Sequence, residues 1–393
     1  MLVAGSLLAQ STEEVTFKSY WHNGFNVTSS DNNFKLLFGG RLQTDWAFFG
    51  NDSELDNLFG GLNNGVEFRR ARFFSQGTVY SKLNYKLEFD FSNGAAVFKD
   101  AYIGLSGLKG IGNIRAGHIK EPMRIEVLTS SKYITFMERA PGVDFVPERN
   151  MGIMVFNHTK RLTWAAGVFR RGDSQGNDKV ANDELNLTGR LTFLALNNTD
   201  KKQMLHFGLA GSYRKPDSGA FEIKAKPAAH LAPTFVNTGA ITGTSHINVL
   251  QAEAAFVSGP FSLQGEFITS TVTALNEATS KNEDYTFSSY YAYASYFLTG
   301  ETRKYSAPGG FFSRVSPKKN FGQGGSGAWE LALRYSKIDL TDKTYLGGNM
   351  SEITVGLNWY LNPVSRFMFN YVNADLKEVG KANIVETRFQ VDF

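Results

Sequence analysis

Residues 82–91 alternate without a break. Lys82, Asn84, Lys86, Glu88 and Asp90 fall on one parity, and Leu83, Tyr85, Leu87, Phe89 and Phe91 on the other. An α-helix would scatter these residues around its circumference, whereas a strand sorts them onto two faces. The pattern recurs along the chain. Phe34, Leu36, Phe38, Leu42, Trp46 and Phe48 oppose Lys35, Arg41, Gln43 and Asp45. Leu185, Leu187, Leu191 and Phe193 oppose Glu184, Asn186, Thr188, Arg190 and Thr192. Trp329, Leu331 and Leu333 oppose Glu330, Arg334 and Ser336, and Ile353, Val355 and Leu357 oppose Glu352, Thr354 and Asn358. No amphipathic helix of comparable strength competes, so the fold class is all-β.

Sixteen strands are expected, over 34–49, 65–80, 82–91, 97–105, 112–120, 150–158, 161–171, 184–196, 204–214, 246–258, 260–273, 286–298, 327–337, 350–361, 365–375 and 382–393. Many run nine residues or more, the span of a tilted transmembrane strand, rather than the five or six of a soluble sandwich. Aromatics near the strand ends of the apolar faces (Trp46, Phe48, Trp164, Tyr213, Phe297, Trp329, Trp359 and Tyr371) suit interfacial girdles. Gaps after odd strands are long: 50–64, 121–149, 172–183, 215–245, 274–285 and 338–349. Gaps after even strands are short except 299–326, a Gly-rich basic stretch that has to fold on the short-turn side or mark a miscount. Backbone polar groups in lipid must pair, so such strands close on themselves, and about sixteen leave an aqueous lumen. The expected architecture is a 16-stranded antiparallel transmembrane β-barrel with its polar face inward.

A mean hydropathy of −0.25 beside 14% aromatic residues then averages a lipid-facing half and a water-facing half. The absence of Cys excludes a disulfide scaffold and thiolate metal sites. No run approaches the 18 apolar residues of a helical span. Lys and Arg total 41 against 37 Asp and Glu, a balance that argues against nucleic-acid binding and leaves selectivity to placement. The six His lack metal spacing, and Gly322–Gly327 lacks the Lys of a phosphate-binding loop. No Ser/His pair for a barrel lipase can be built, and no cofactor or metal is expected. Residues 1–9 read as the remnant of a secretory signal, 10–33 as a periplasmic N-terminal segment and 34–393 as the barrel. The last strand carries its apolar parity to a terminal Phe393, resembling the signal by which outer-membrane assembly machinery takes up barrels.

Two charged regions stand out. Phe68-Arg69-Arg70-Ala71-Arg72 is the densest basic cluster, and strict alternation cannot place Arg69 and Arg70 on one face, so a bulge is expected there. The segment 121–149 joins Met123, Ile125, Val127, Leu128, Ile134, Phe136 and Met137 to Arg124, Lys132, Glu138 and Arg139. An exposed loop does not need that apolar surface. A constriction loop folded inward on the barrel wall does, and it would narrow the pore.

Three stretches together resemble the phosphate- and polyphosphate-selective porins of Gram-negative bacteria (porins O and P). They are Gly65–Arg72 running on through Tyr85–Phe91; Lys99–Gly104 with Ala116–Pro122 and Leu128–Arg139; and Leu298–Glu301 with Pro317–Phe321 and Gly327–Ser336. The resemblance implies a homotrimer of 16-stranded barrels in the outer membrane, set among lipid and lipopolysaccharide and passing small anions. It implies a constriction arginine pair at Arg69 and Arg70, a constriction lysine at Lys120, and a luminal arginine at Arg41. Lys132 and Arg139 fall in the matching constriction loop. Lys318 and Lys319, with Lys82, would form the periplasmic basic cluster. Two departures stand out: much of the family's arginine ladder is missing, and Glu121 adds an acid beside Lys120. The expected function is passive diffusion of small anions, phosphate or related, through an Arg/Lys-lined constriction. The alternative is a non-conducting barrel that docks or supports an envelope complex, discriminated by conductance.

Overall fold

The computed structural model describes residues 14–142, 145–146, 148–173, 175, 184–216 and 219–393. The signal remnant 1–9 lies outside them, as do 174 and 176–183 of the loop expected at 172–183. The wall consists of β1 (Lys35–Asn51), β2 (Gly65–Val79), β3 (Leu83–Asp90), β4 (Val97–Leu108), β5 (Gly112–Lys120), β6 (Arg149–His158), β7 (Leu162–Arg170) and β8 (Leu185–Asn198). It continues through β9 (Gln203–Lys215), β10 (Thr244–Ser258), β11 (Phe261–Asn276), β12 (Lys281–Phe297), β13 (Ala328–Asp342), β14 (Tyr345–Asn362), β15 (Ser365–Leu376) and β16 (Gly380–Asp392). Each pairs antiparallel with the next, and β16 closes on β1 with Gln390 opposite Gln43 and Asp392 opposite Arg41. Sixteen strands and closure are what the alternation required.

The apolar parity faces outward. Leu42, Phe48, Leu187, Leu191, Phe267, Leu333, Ile353 and Phe369 are exposed although apolar, while Gln43, Asp45, Glu88, Arg334, Asn358 and Arg388 on the opposite parity are buried. Phe297 departs from the expected girdle: it points inward and is buried with Val315, Ala328 and Tyr360, because the 298–327 segment covers that inner face. The terminal Phe393 seats on β1. Its backbone pairs with Gly40 in both directions, and a Cβ on Gly40 would lie 2.6 Å from the Phe393 ring and 2.5 Å from the Arg72 carbonyl. A hairpin of Phe17–Trp21 and Phe25–Ser29 pairs with β1 beyond that seam, Phe25 opposite Phe38.

The loops expected at 274–285 and 338–349 are mostly strand. Tight turns at 277–280 and 343–344 join β11 to β12 and β13 to β14. The tall wall gives an inner apolar face, with Tyr285, Phe287, Ile338, Leu340 and Met350, and the 216–243 loop buries Ile223, Ala229, Phe235 and Val236 in the same core. That loop crosses to β2, where His230 Nδ1 stands 2.8 Å from Glu67. The 298–327 segment also folds inward from the short-turn end, through a two-residue-a-side hairpin of Tyr305–Ser306 and Phe311–Phe312.

Candidate anion constriction

The 121–148 loop lies against the inner wall, as its apolar content required: Met123, Ile125, Ile134, Phe136 and Met137 are buried. Its backbone is held by wall side chains. Arg366 donates to the carbonyl of Ile134 (2.9 Å), Arg388 to Met137 (2.6 Å), Arg334 to Glu138 (3.0 Å) and Asn358 to Thr135 (2.8 Å). Hydrogen bonds from charged donors are worth about 1.5–3 kcal/mol each, so these arginines act as loop anchors. At its other face Arg124 pairs with Glu266 at 3.0 Å.

The bulge on β2 is present, with Arg69 the extra residue between the Gln43–Arg70 and Thr44–Phe68 pairs. It turns both guanidiniums inward, to different ends. Arg69 makes a two-point pair with Glu138 of the loop at 2.8 and 2.9 Å. Arg70 bonds Gln43 at 2.9 Å and stands 3.8 Å from Glu138. Burial alone would raise the Glu138 carboxyl, but Arg69, Arg70 and Arg388 outweigh it and hold it well below the usual carboxylate range.

Between the loop and β1–β8 lies a cavity of about 480 Å³. Nine cations line it, Arg41, Arg70, Arg72, Lys86, Arg115, Lys120, Arg139, Arg149 and Arg190, against three carboxylates, Glu88, Asp100 and Glu148. Asp90, Glu138 and Glu253 stand behind Arg72, Arg70 and Arg190, so three positive charges remain in surplus even when these are counted. Arg41 pairs with Glu88 at 2.6 Å and donates to Ser131 at 2.8 Å. Lys120, Arg139 and Arg149 converge on the single carboxylate of Glu148 at 3.1, 3.5 and 2.9 Å. Burial would raise Glu148, and Arg149, Lys120 and Arg139 instead hold it well below its ordinary range. Glu121 turns away from Lys120 and is taken up by Arg214 at 2.9 Å and by Thr188 and Asn150, so it subtracts nothing from this wall.

The structure therefore brings Arg41, Arg70, Lys120 and Arg139 together around one cavity. Arg69 is fixed to Glu138 outside the cavity lining. Lys132 faces elsewhere, 3.4 Å from Asp392, and burial lowers its ammonium to about 8 against the pull of Asp392. Lys318 and Lys319 are exposed on the 298–327 segment, with the Lys318 ammonium 2.9 Å from the Thr299 carbonyl. Lys82 sits on the β2–β3 turn, five strands round the wall from β13, and no hydrogen bond or ion pair joins it to them. Arg72, Arg115 and Arg149 are lining residues the sequence reading did not single out. Arg72 is the third basic residue of the Arg69–Arg72 cluster and shares the inward parity of Arg70, a signal that was available. Arg149 opens β6 directly after the loop, and its direction is fixed by Asp100 at 2.7 Å and Glu148 at 2.9 Å, contacts that sequence alone does not show.

A closed sixteen-stranded wall, apolar outside, with an inward loop beside a cation-rich cavity, defines a porin. The family model for phosphate-selective porin O and P matches residues 38–393, and the chain belongs to that family. It is a porin of the bacterial outer membrane and an anion channel. Porin O of Pseudomonas aeruginosa is 26% identical, over 92% of this chain and 87% of its own. The anion-selective porin from Comamonas acidovorans shares the fold, with a TM-score of 0.58 at 13% identity over 92% of this chain and 100% of its own. The outer membrane channel DcaP of Acinetobacter baumannii does likewise, with a TM-score of 0.58 at 12% identity over 93% and 99%.

Proposed function

We propose that the channel passes small oxyanions, phosphate or related, along the wall formed by Arg41, Arg70, Arg72, Lys120, Arg139 and Arg149, as one pore of a homotrimer. The observation that carries this is the surplus of cations over carboxylates around the cavity. Guanidinium and ammonium groups replace part of an anion's hydration shell, and several weak sites in series let it leave again. Pairing these six cations to carboxylates keeps each site weak. Membership of the phosphate-selective porin family supports the oxyanion. The test is block of chloride current by millimolar phosphate in a planar bilayer. Dose-dependent block supports the oxyanion reading, and chloride current indifferent to phosphate refutes it.

A second reading has one observation behind it: the described residues of three segments, 121–142, 219–243 and 298–327, fold into the lumen. A barrel that docks a partner would show no conductance in the same bilayer.

A further inference from the structure

We propose that the short-turn half of the cavity is a subsite for organic anions with an aromatic body, with Arg115 holding the charged end. It rests on the anion reading above, because the ligand's head must be negative. Tyr102, Ile119, Met154 and Phe156 line this part of the cavity from β4, β5 and β6, with Leu128 from the loop and Phe311 from the 298–327 segment. Ile119 and Met154 are buried, whereas Tyr102, Leu128, Phe156 and Phe311 are only half-buried, and apolar surface left open in an aqueous pore is recovered only when something apolar covers it. A hydrated inorganic ion does not.

Arg115 supplies the head-group contact. Its guanidinium lies 4.1 Å from the ring centre of Tyr102 and 4.9 Å from that of Phe156. The rings engage it by cation–π attraction and leave its N–H groups for a ligand. Its Nε is buried without a hydrogen-bond partner, and among the described residues no carboxylate pairs with it. Every other cation named in the wall has a carboxylate neighbour. A guanidinium whose N–H groups are unclaimed suits two-point binding of a phosphonate or carboxylate. Tyr102, Arg115 and Phe156 also stand between two cavities, since they line both this one and a second of about 420 Å³ that reaches Tyr20 and Asn26 of the N-terminal hairpin. Half-buried aromatic rings around an unpaired guanidinium are the mixed lining typical of small-molecule sites.

The test compares two blockers with one head group, methylphosphonate and phenylphosphonate, on chloride current through the whole porin in a planar bilayer. Half-burying a phenyl ring corresponds to about a tenfold gain in affinity, so phenylphosphonate should block at roughly a tenth of the concentration. Phe156→Ala should bring that ratio toward one, and Arg115→Gln should weaken both blockers. Equal block by the two phosphonates in an anion-selective wild type overturns the subsite and leaves the anion reading standing. A preference for the phenyl compound that survives Phe156→Ala also overturns it, by placing the ring elsewhere. A cation-selective wild type would overturn the anion reading itself.

Discussion

Glu148→Gln should make the pore a stronger anion binder. Glu148 is the one carboxylate on which Lys120, Arg139 and Arg149 converge, at 3.1, 3.5 and 2.9 Å. Those cations hold it well below the usual carboxylate range despite its burial, so it is ionised at any working pH. An anion resting on the same three cations would sit about 6 Å from that carboxylate, and at an effective dielectric of about 40–80 for a wet lumen the repulsion is about 1 kcal/mol per unit of anion charge. Removing it corresponds to about a fivefold tighter site for a monovalent anion and a larger gain for divalent phosphate. The readout is the phosphate concentration that halves chloride current through single channels, wild type against variant, with an unshifted heat-modifiable mobility on gels confirming an intact barrel. Weaker block in the variant, or block unchanged within twofold, refutes the placement of the anion on these three cations.

Other consequences follow from the same contacts. Lys120→Gln should weaken phosphate block several-fold, since it removes a lining cation; block equal to wild type would take Lys120 out of the path. Arg69→Ala should alter selectivity little and loosen the loop, because Glu138 keeps Arg388 at 2.8 Å but loses its two-point partner. That loss costs about 2–3 kcal/mol and should read as noisier, larger single-channel currents. Lys132, brought down to about 8 by burial, binds fewer protons in the folded state than in the unfolded one between about pH 8 and 10.5. The wild type should therefore gain about 2–3 kcal/mol over Lys132→Met as pH rises from 7 to 10, and parallel stability profiles would contradict the burial of that ammonium. Gly40→Val should impair barrel closure, seen as lost heat-modifiable mobility, because the Phe393 ring and the Arg72 carbonyl occupy the space a side chain would need.

The wall was legible because a membrane strand cannot hide its period: lipid on one face and water on the other impose parity on every strand, as in Leu83–Asp90. Strand number, closure and the inward loop all followed from that constraint and from apolar residues with no other place to go. The extension of β11–β14 was not legible, since above the membrane the inner face turns apolar to receive the 216–243 loop, and Ile338 and Leu340 then break the expected alternation of environments. The site was half legible. Arg69 and Arg70 look equivalent as neighbours, and only the bulge sends one to Glu138 and the other to the cavity. Lys132 and Arg139 lie in one loop, yet whether such a cation meets Asp392 or Glu148 depends on how the loop turns on the wall. Glu121 beside Lys120 looked like a counter-charge until Arg214, distant in sequence, claimed it.

Local placement, not net charge, makes this lumen cationic. The reversal potential of the purified porin in a planar bilayer under a KCl gradient tests it most directly. The lining of Arg41, Arg70, Arg72, Lys120, Arg139 and Arg149 predicts a potential displaced toward the chloride equilibrium value. Displacement toward the potassium value would contradict it.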